Sequence, residues 1–163
     1  MNFISKTNQK GTLESGDVFL IPLDEDRYSI GMFHKYIEKP LYSAICSFYP
    51  SVVLNENEIL EPMLAKPISI KLATPHGLET KKWRVVANCK PKLDAKALPD
   101  YSYRKTLFKR KKPVMEKVYG DGNIRKFLKA YHGLALWNSM HDPEYFDKML
   151  LDIRMKPNNL LLE

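Results

Sequence analysis

Cysteine is nearly missing from this 163-residue chain: Cys46 and Cys89 are the whole supply. Two isolated thiols exclude a disulfide scaffold, and without a closely spaced pair a zinc site has nothing to start from. Each lies within an apolar run, so both are expected as buried, reduced thiols. Long apolar runs are missing too, since nothing approaches the roughly 18 residues of a membrane-spanning helix. Met1 to Lys10 is polar and lacks the apolar segment and cleavage site of a secretory signal, which makes a cytoplasmic location with no membrane contact the expectation. The seven glycines are scattered singly, so no phosphate-cradling loop exists. The four histidines, His34, His76, His132 and His141, are well separated, and none sits four residues from another. Asp121-Gly122-Asn123 opens like a calcium loop, but the later ligand positions hold Arg125, Phe127 and Lys129. No catalytic, cofactor-binding or metal residue is therefore assigned. The expectation is a protein that is not an enzyme.

What is present is an ordinary globular composition, 44% hydrophobic and 28% charged, in a length that suits one domain over residues 1–163. The charge is less ordinary. Twenty-six Lys and Arg against nineteen Asp and Glu leave +7. Residues 1–80 carry seven basic and ten acidic side chains, so the basic excess lies entirely in the second half. Such asymmetry suggests one face built for an anionic partner.

The first half reads as β structure. Residues 1–11 form a polar lead-in. Asp17-Val18-Phe19-Leu20-Ile21-Pro22-Leu23 is a strand whose Pro22 marks an edge position or an exit from the ladder. After the acidic turn Asp24-Glu25-Asp26, Tyr28, Ile30 and Met32 alternate on one face, as in a hairpin partner. Gly31 inside that strand suggests a bulge or the close passage of another backbone. Strands are also expected over 41–49, 67–72 and 82–89, the last near the centre of the sheet. Residues 51–66 give only a short strand or helical turn. Five strands spaced by turns suggest a strongly bent antiparallel sheet or a small barrel.

The second half changes character. Residues 93–118 read as a basic loop or irregular strand. Beyond it, Asp121 or Asn123 caps a helix whose apolar stripe runs Ile124, Phe127, Leu128, Tyr131, Leu134, Ala135 and Trp137. Asp142-Pro143-Glu144 starts a second, with Tyr145, Phe146, Met149, Leu150 and Ile153 as its stripe and Pro157 as its end. The expected fold is thus α+β, with a C-terminal helical pair over 121–156 packed on the sheet.

The densest constellation lies at residues 101–112. Six of the nine residues from Arg104 to Lys112 are basic, and Tyr101, Tyr103 and Phe108 are interleaved with them. Basic groups neutralise phosphates and rings stack on bases, so the stretch suits single-stranded nucleic acid. Basic clusters more often merely solvate a loop, and a protein-partner surface is the other reading.

One part of the chain resembles a known family. Gly16-Asp17-Val18-Phe19-Leu20-Ile21-Pro22-Leu23, an acidic turn, and then Tyr28 followed by Gly31 is similar to the opening of the immunity protein 26 family, and Lys82-Trp83-Arg84-Val85-Val86 resembles its second segment. The likeness covers residues 12–92, an immunity-like β core. It implies an antitoxin of a bacterial polymorphic or contact-dependent toxin system, which inhibits a cognate toxin domain by stoichiometric binding; a nuclease is one candidate toxin. Nuclease inhibitors are often acidic, and this chain is basic. The contact is therefore placed on Tyr103, Arg104, Phe108, Lys109, Arg110, Lys111 and Lys112, or else on the acidic half near Asp24, Glu25 and Asp26. The alternative is a nucleic-acid-binding module using the 101–112 stretch.

Overall fold

The structure, a computed structural model, describes residues 1–4, 12–37, 42–93, 98 and 117–163. Seven strands form one open sheet: β1 (Asn2–Phe3), β2 (Asp17–Pro22), β3 (Tyr28–Ile37), β4 (Ser43–Val53), β5 (Ser69–Ala73), β6 (Arg84–Asn88) and β7 (Val118–Tyr119). Their order is β1-β6-β2-β3-β4-β5-β7. Every pairing is antiparallel except β5 with β7. The sheet does not close, because β1 and β7 stand at its two ends and do not pair with each other. The expected strong bend or barrel is thereby corrected to an open, mildly curved sheet. Two strands were hidden from the sequence pattern. A two-residue strand has no periodicity to read, and β1 lies in the presumed lead-in.

β2 and β3 form the expected hairpin, in register from Val18 opposite Met32 to Pro22 opposite Tyr28. Pro22 is the last residue of an interior strand, so it marks the exit from the ladder rather than an edge. β4 runs on past the expected end at residue 49, through Pro50 to Val53. Ser29 pairs with Val52 and Gly31 with Phe48, so residues 49–51 of β4 stand opposite Ile30 alone, two more than a regular ladder needs. That bulge is where a proline is tolerated inside a ladder. β6 lies beside the short β1 and is next to the end of the sheet, not at its centre.

The pleat sorts the sheet's side chains onto two faces. On one face Phe19, Ile21 and Leu23 join Phe33, Phe48 and Trp83 beneath Ile124, Phe127 and Leu128 of α2 (Asp121–Tyr131). On the other, Val18, Leu20, Ile30, Met32 and Tyr49 meet Ile59 and Leu64, which two short 3-10 turns at Glu56–Glu58 and Glu61–Leu64 deliver. These turns resolve the weak pattern over residues 51–66.

α2 is shorter than its apolar stripe suggests. Gly133, at φ 72°, ends it: Leu134 N–H reaches back to the Lys129 carbonyl at 2.8 Å and Gly133 N–H to that of Ala130 at 3.1 Å. Leu134, Ala135 and Trp137 lie beyond this stop. Trp137 is still buried, 5.8 Å from the Phe127 ring. At the other end neither Asp121 nor Asn123 is the cap residue. Gly120 holds that position, and the Thr74 hydroxyl accepts from the Asp121 backbone N–H at 3.2 Å.

The second expected helix does not form. Asp142 caps a start, accepting from the Glu144 N–H at 3.0 Å, but only 3-10 turns at Asp147–Met149 and Ile153–Met155 follow. Leu151 N–H is taken by the Ile68 carbonyl at 2.8 Å, and Asp152 begins a new turn by capping Arg154. Phe146, Met149 and Leu150 are nevertheless buried under Phe127 and Trp137, whereas Ile153 is exposed. The apolar spacing reported burial at Phe146, Met149 and Leu150 but not at Ile153, and it did not report helicity. Among the described residues no helix is long and apolar enough to cross a membrane.

Candidate partner-binding surface

The acidic turn closing the β2–β3 hairpin is well defined. Asp24 folds back on it, accepting from the N–H groups of Asp26 at 3.1 Å and Arg27 at 2.9 Å and from Arg27 Nε at 2.8 Å. This is the Asx-type bonding that favours aspartate at the head of a turn. The Arg27 guanidinium also holds the Asp24 carboxyl below the usual carboxylate range. Leu23 N–H pairs with the Arg27 carbonyl at 2.9 Å. From α2, Arg125 donates Nε to the Pro22 carbonyl at 2.6 Å and Nη2 to that of Leu23 at 3.1 Å. One carboxylate of the three is thus consumed in building the turn. Glu25 and Asp26 remain exposed.

The basic candidates Tyr103, Arg104, Phe108, Lys109, Arg110, Lys111 and Lys112 lie outside the described residues. So does Tyr101. The structure therefore bears on the acidic candidates alone.

The motif residues of the first half have structural work to do. Gly16 adopts φ 91°, and a Cβ there would sit 2.3 Å from the Cys89 carbonyl oxygen, so only glycine fits. Asp17, 7% exposed, accepts from Glu14 N–H at 2.8 Å and from Asn88 Nδ2 at 2.9 Å, which braces the hairpin's open end. Gly31 faces the Phe19 ring, whose atoms would lie 2.4 Å from an added Cβ. The sequence reading of Gly31 was thus half right: the register shifts beside it, but what passes closely is a ring and not a backbone. Phe19 in turn lies flat on Trp83, with centroids 5.4 Å apart and planes within 3°.

At that open end lies a cleft of about 420 Å³ that no sequence pattern announced. Trp83 just before β6, Val85 of β6, Tyr36 of β3 and Leu78 of α1 (His76–Glu79) give it apolar walls; Glu14, Asp17 and Glu79 bring carboxylates. Gly77 lets the Trp83 ring approach α1, where an added Cβ would meet it at 2.7 Å. Two non-glycine residues with positive φ flank the cleft. Lys81, at φ 59°, lines it, and Tyr42, at φ 21°, stacks on Tyr36 and donates to Glu79 at 2.5 Å. Such backbone strain tends to collect at functional sites. Its lining is assembled from four separate stretches, at residue 4, residues 12–17, residue 36 and residues 78–85, which no local pattern joins.

Two histidine contacts invite a catalytic reading and do not sustain it. His34 Nε2 lies 2.8 Å from Ser47 Oγ, whose hydroxyl donates to Tyr49 at 2.9 Å, and Tyr49 donates to Met32 Sδ at 3.8 Å. The direction of this chain makes His34 the donor. Ser47 is fully buried, so its hydroxyl cannot meet a substrate, and burial lowers the His34 pKa to about 4. The network satisfies polar groups in the core. The exposed His76 pairs with Asp121 at 3.1 Å and ties α1 to the start of α2. Cys46 and Cys89 are both buried, free and in different cores, as expected of reduced thiols. Among the described residues no group of three or more His, Cys, Asp or Glu side chains is placed to hold a metal ion. No known family, curated protein or solved structure matches the chain.

Proposed function

We propose that the protein is an immunity protein of a bacterial toxin system, which neutralises a cognate toxin domain by direct stoichiometric binding. The contact is placed on the β2–β3 turn. The observation that carries this reading is the turn's pre-organisation: Glu25 and Asp26 project from a loop already held by Asp24, Arg27 and Arg125. A binding loop that is ordered before encounter loses little entropy on association. Exposed carboxylates on such a loop complement the basic surface of a nuclease and steer its approach. The resemblance of residues 12–92 to immunity proteins supports the class, and the motif residues behind it build the hairpin that presents the turn.

The test is co-expression with the C-terminal domain of the protein encoded immediately upstream. A one-to-one complex and rescue of growth are expected, and Glu25→Lys with Asp26→Lys should weaken the complex about 100-fold and reduce the rescue with it. If the parent chain neither binds nor rescues, the immunity reading fails. If the double variant protects as well as the parent, the turn is not the contact. Tight binding of mixed oligonucleotides with a steep salt dependence would instead favour a nucleic-acid-binding module using residues 101–112.

A further inference from the structure

The cleft at the open end of the hairpin is a second place where chemistry collects, remote along β2 and β3 from the acidic turn. Its charges do not balance. Arg84, one of its two cations, is engaged by Glu56 at 3.3 Å. Lys81 is exposed and makes no ion pair among the described residues. Against it stand three carboxylates. Asp17 is more than nine-tenths buried, and both hydrogen bonds described for it come from neutral donors, the Asn88 amide and the Glu14 backbone. Glu14 and Glu79 are exposed at the rim, and neither has a cationic partner among the described residues. Glu79 receives the Tyr42 hydroxyl instead, beside two tyrosine rings whose planes lie within 4° of parallel.

A buried carboxylate without a counter-cation, aromatic walls, and carboxylates at the mouth define a complementary shape. It is a positive group on an apolar stem. Tyrosine faces attract a cation through their quadrupole. A planar guanidinium both stacks on a ring and forks onto a carboxylate, which an ammonium does less well. We propose that this cleft is a socket for an arginine side chain of a bound polypeptide: its methylenes lie along Tyr36 and Val85, and its guanidinium meets Glu14 and Glu79. The proposal stands apart from the toxin reading, because it concerns a different end of the hairpin and its test needs no toxin.

The probes are Nα-acetyl-arginine methylamide and its neutral isostere, Nα-acetyl-citrulline methylamide, titrated into the full chain at low salt. Binding is read from the NMR signals of the Trp83 indole and the Arg84 and Val85 amides. These should move with the arginine probe, at an affinity about tenfold above that for citrulline. Glu14→Gln with Glu79→Gln should abolish the difference between the two probes. Both residues are exposed, so the variant should keep its fold, and its spectrum reports whether it does. Should it unfold, the two probes on the parent chain decide alone. Unmoved cleft signals, equal response to both probes, or a double variant that still discriminates would each overturn the proposal.

Discussion

The two ends of the β2–β3 hairpin are built in opposite ways. At the closed end one carboxylate, Asp24, is spent on the turn's own backbone and on Arg27, and Arg125 anchors the strand exit, so that two carboxylates project outward. At the open end Asp17 is drawn inward to brace the strand, and the remaining groups line a hollow. The same residue type serves a convex display in one place and a concave socket in the other. What decides between them is where the backbone donors lie. A carboxylate that finds N–H groups is consumed by the fold, and one that finds none is left for a partner.

The strongest way to break this comparison is to damage the middle that both ends share. Gly31→Ala should push the Phe19 ring off its stacked position on Trp83 and cost about 3 kcal/mol, the upper range for overpacking a filled core. Urea denaturation measures the loss, and both ends should loosen together. An effect of comparable size and similar reach comes from pH. His34 is held near 4 when folded and lies near 6.5 when unfolded. Between these values the unfolded chain binds the extra proton, so stability falls as pH drops from about 6.5 to 4, by up to about 3 kcal/mol for this residue. His132 is held near 4 by burial as well, so His34→Gln should remove about half of the slope and leave the rest. If the parent is equally stable at pH 7 and pH 4.5, the buried-histidine account is wrong.

Two further substitutions separate the ends. Asp17→Ala leaves the Asn88 amide and the Glu14 N–H without an acceptor and should cost about 2 kcal/mol, with faster amide exchange at the open end only. Arg125→Ala removes the anchor of the closed end and should cost about 1 kcal/mol, with faster exchange confined to residues 23–27. Exchange spreading from either site to the other would mean that the two ends are not independent.

Much of this hairpin was legible in the sequence. Alternation placed Tyr28, Ile30 and Met32 on one face, and Pro22 marked the exit, because the two-residue period of a half-buried strand survives any tertiary context. The acidic turn was found from its three consecutive charged residues between two apolar runs. The C-terminal segment was misread because a helical spacing of apolar residues guarantees only that they can share a buried side. Trp137 and Phe146 meet at 5.5 Å without a second helix, and the Ile68 carbonyl draws Leu151 onto the sheet. No local pattern could disclose that bond, which joins residues far apart in the chain. The cleft was illegible on the same grounds, since Asp17, Tyr36, Glu79 and Trp83 become neighbours only through strand order. The basic stretch, the most conspicuous feature of the sequence, lies outside the described residues.

In the proposed complex the closed end meets the toxin through charge. The most direct measurement is the affinity of the parent and of Glu25→Lys with Asp26→Lys for the co-encoded toxin domain, over a range of salt concentrations. Both side chains are exposed, so the double variant should unfold at the same urea midpoint as the parent. Its binding should be about 100-fold weaker, with a visibly shallower salt dependence. Equal affinities with parallel salt curves would contradict the claim.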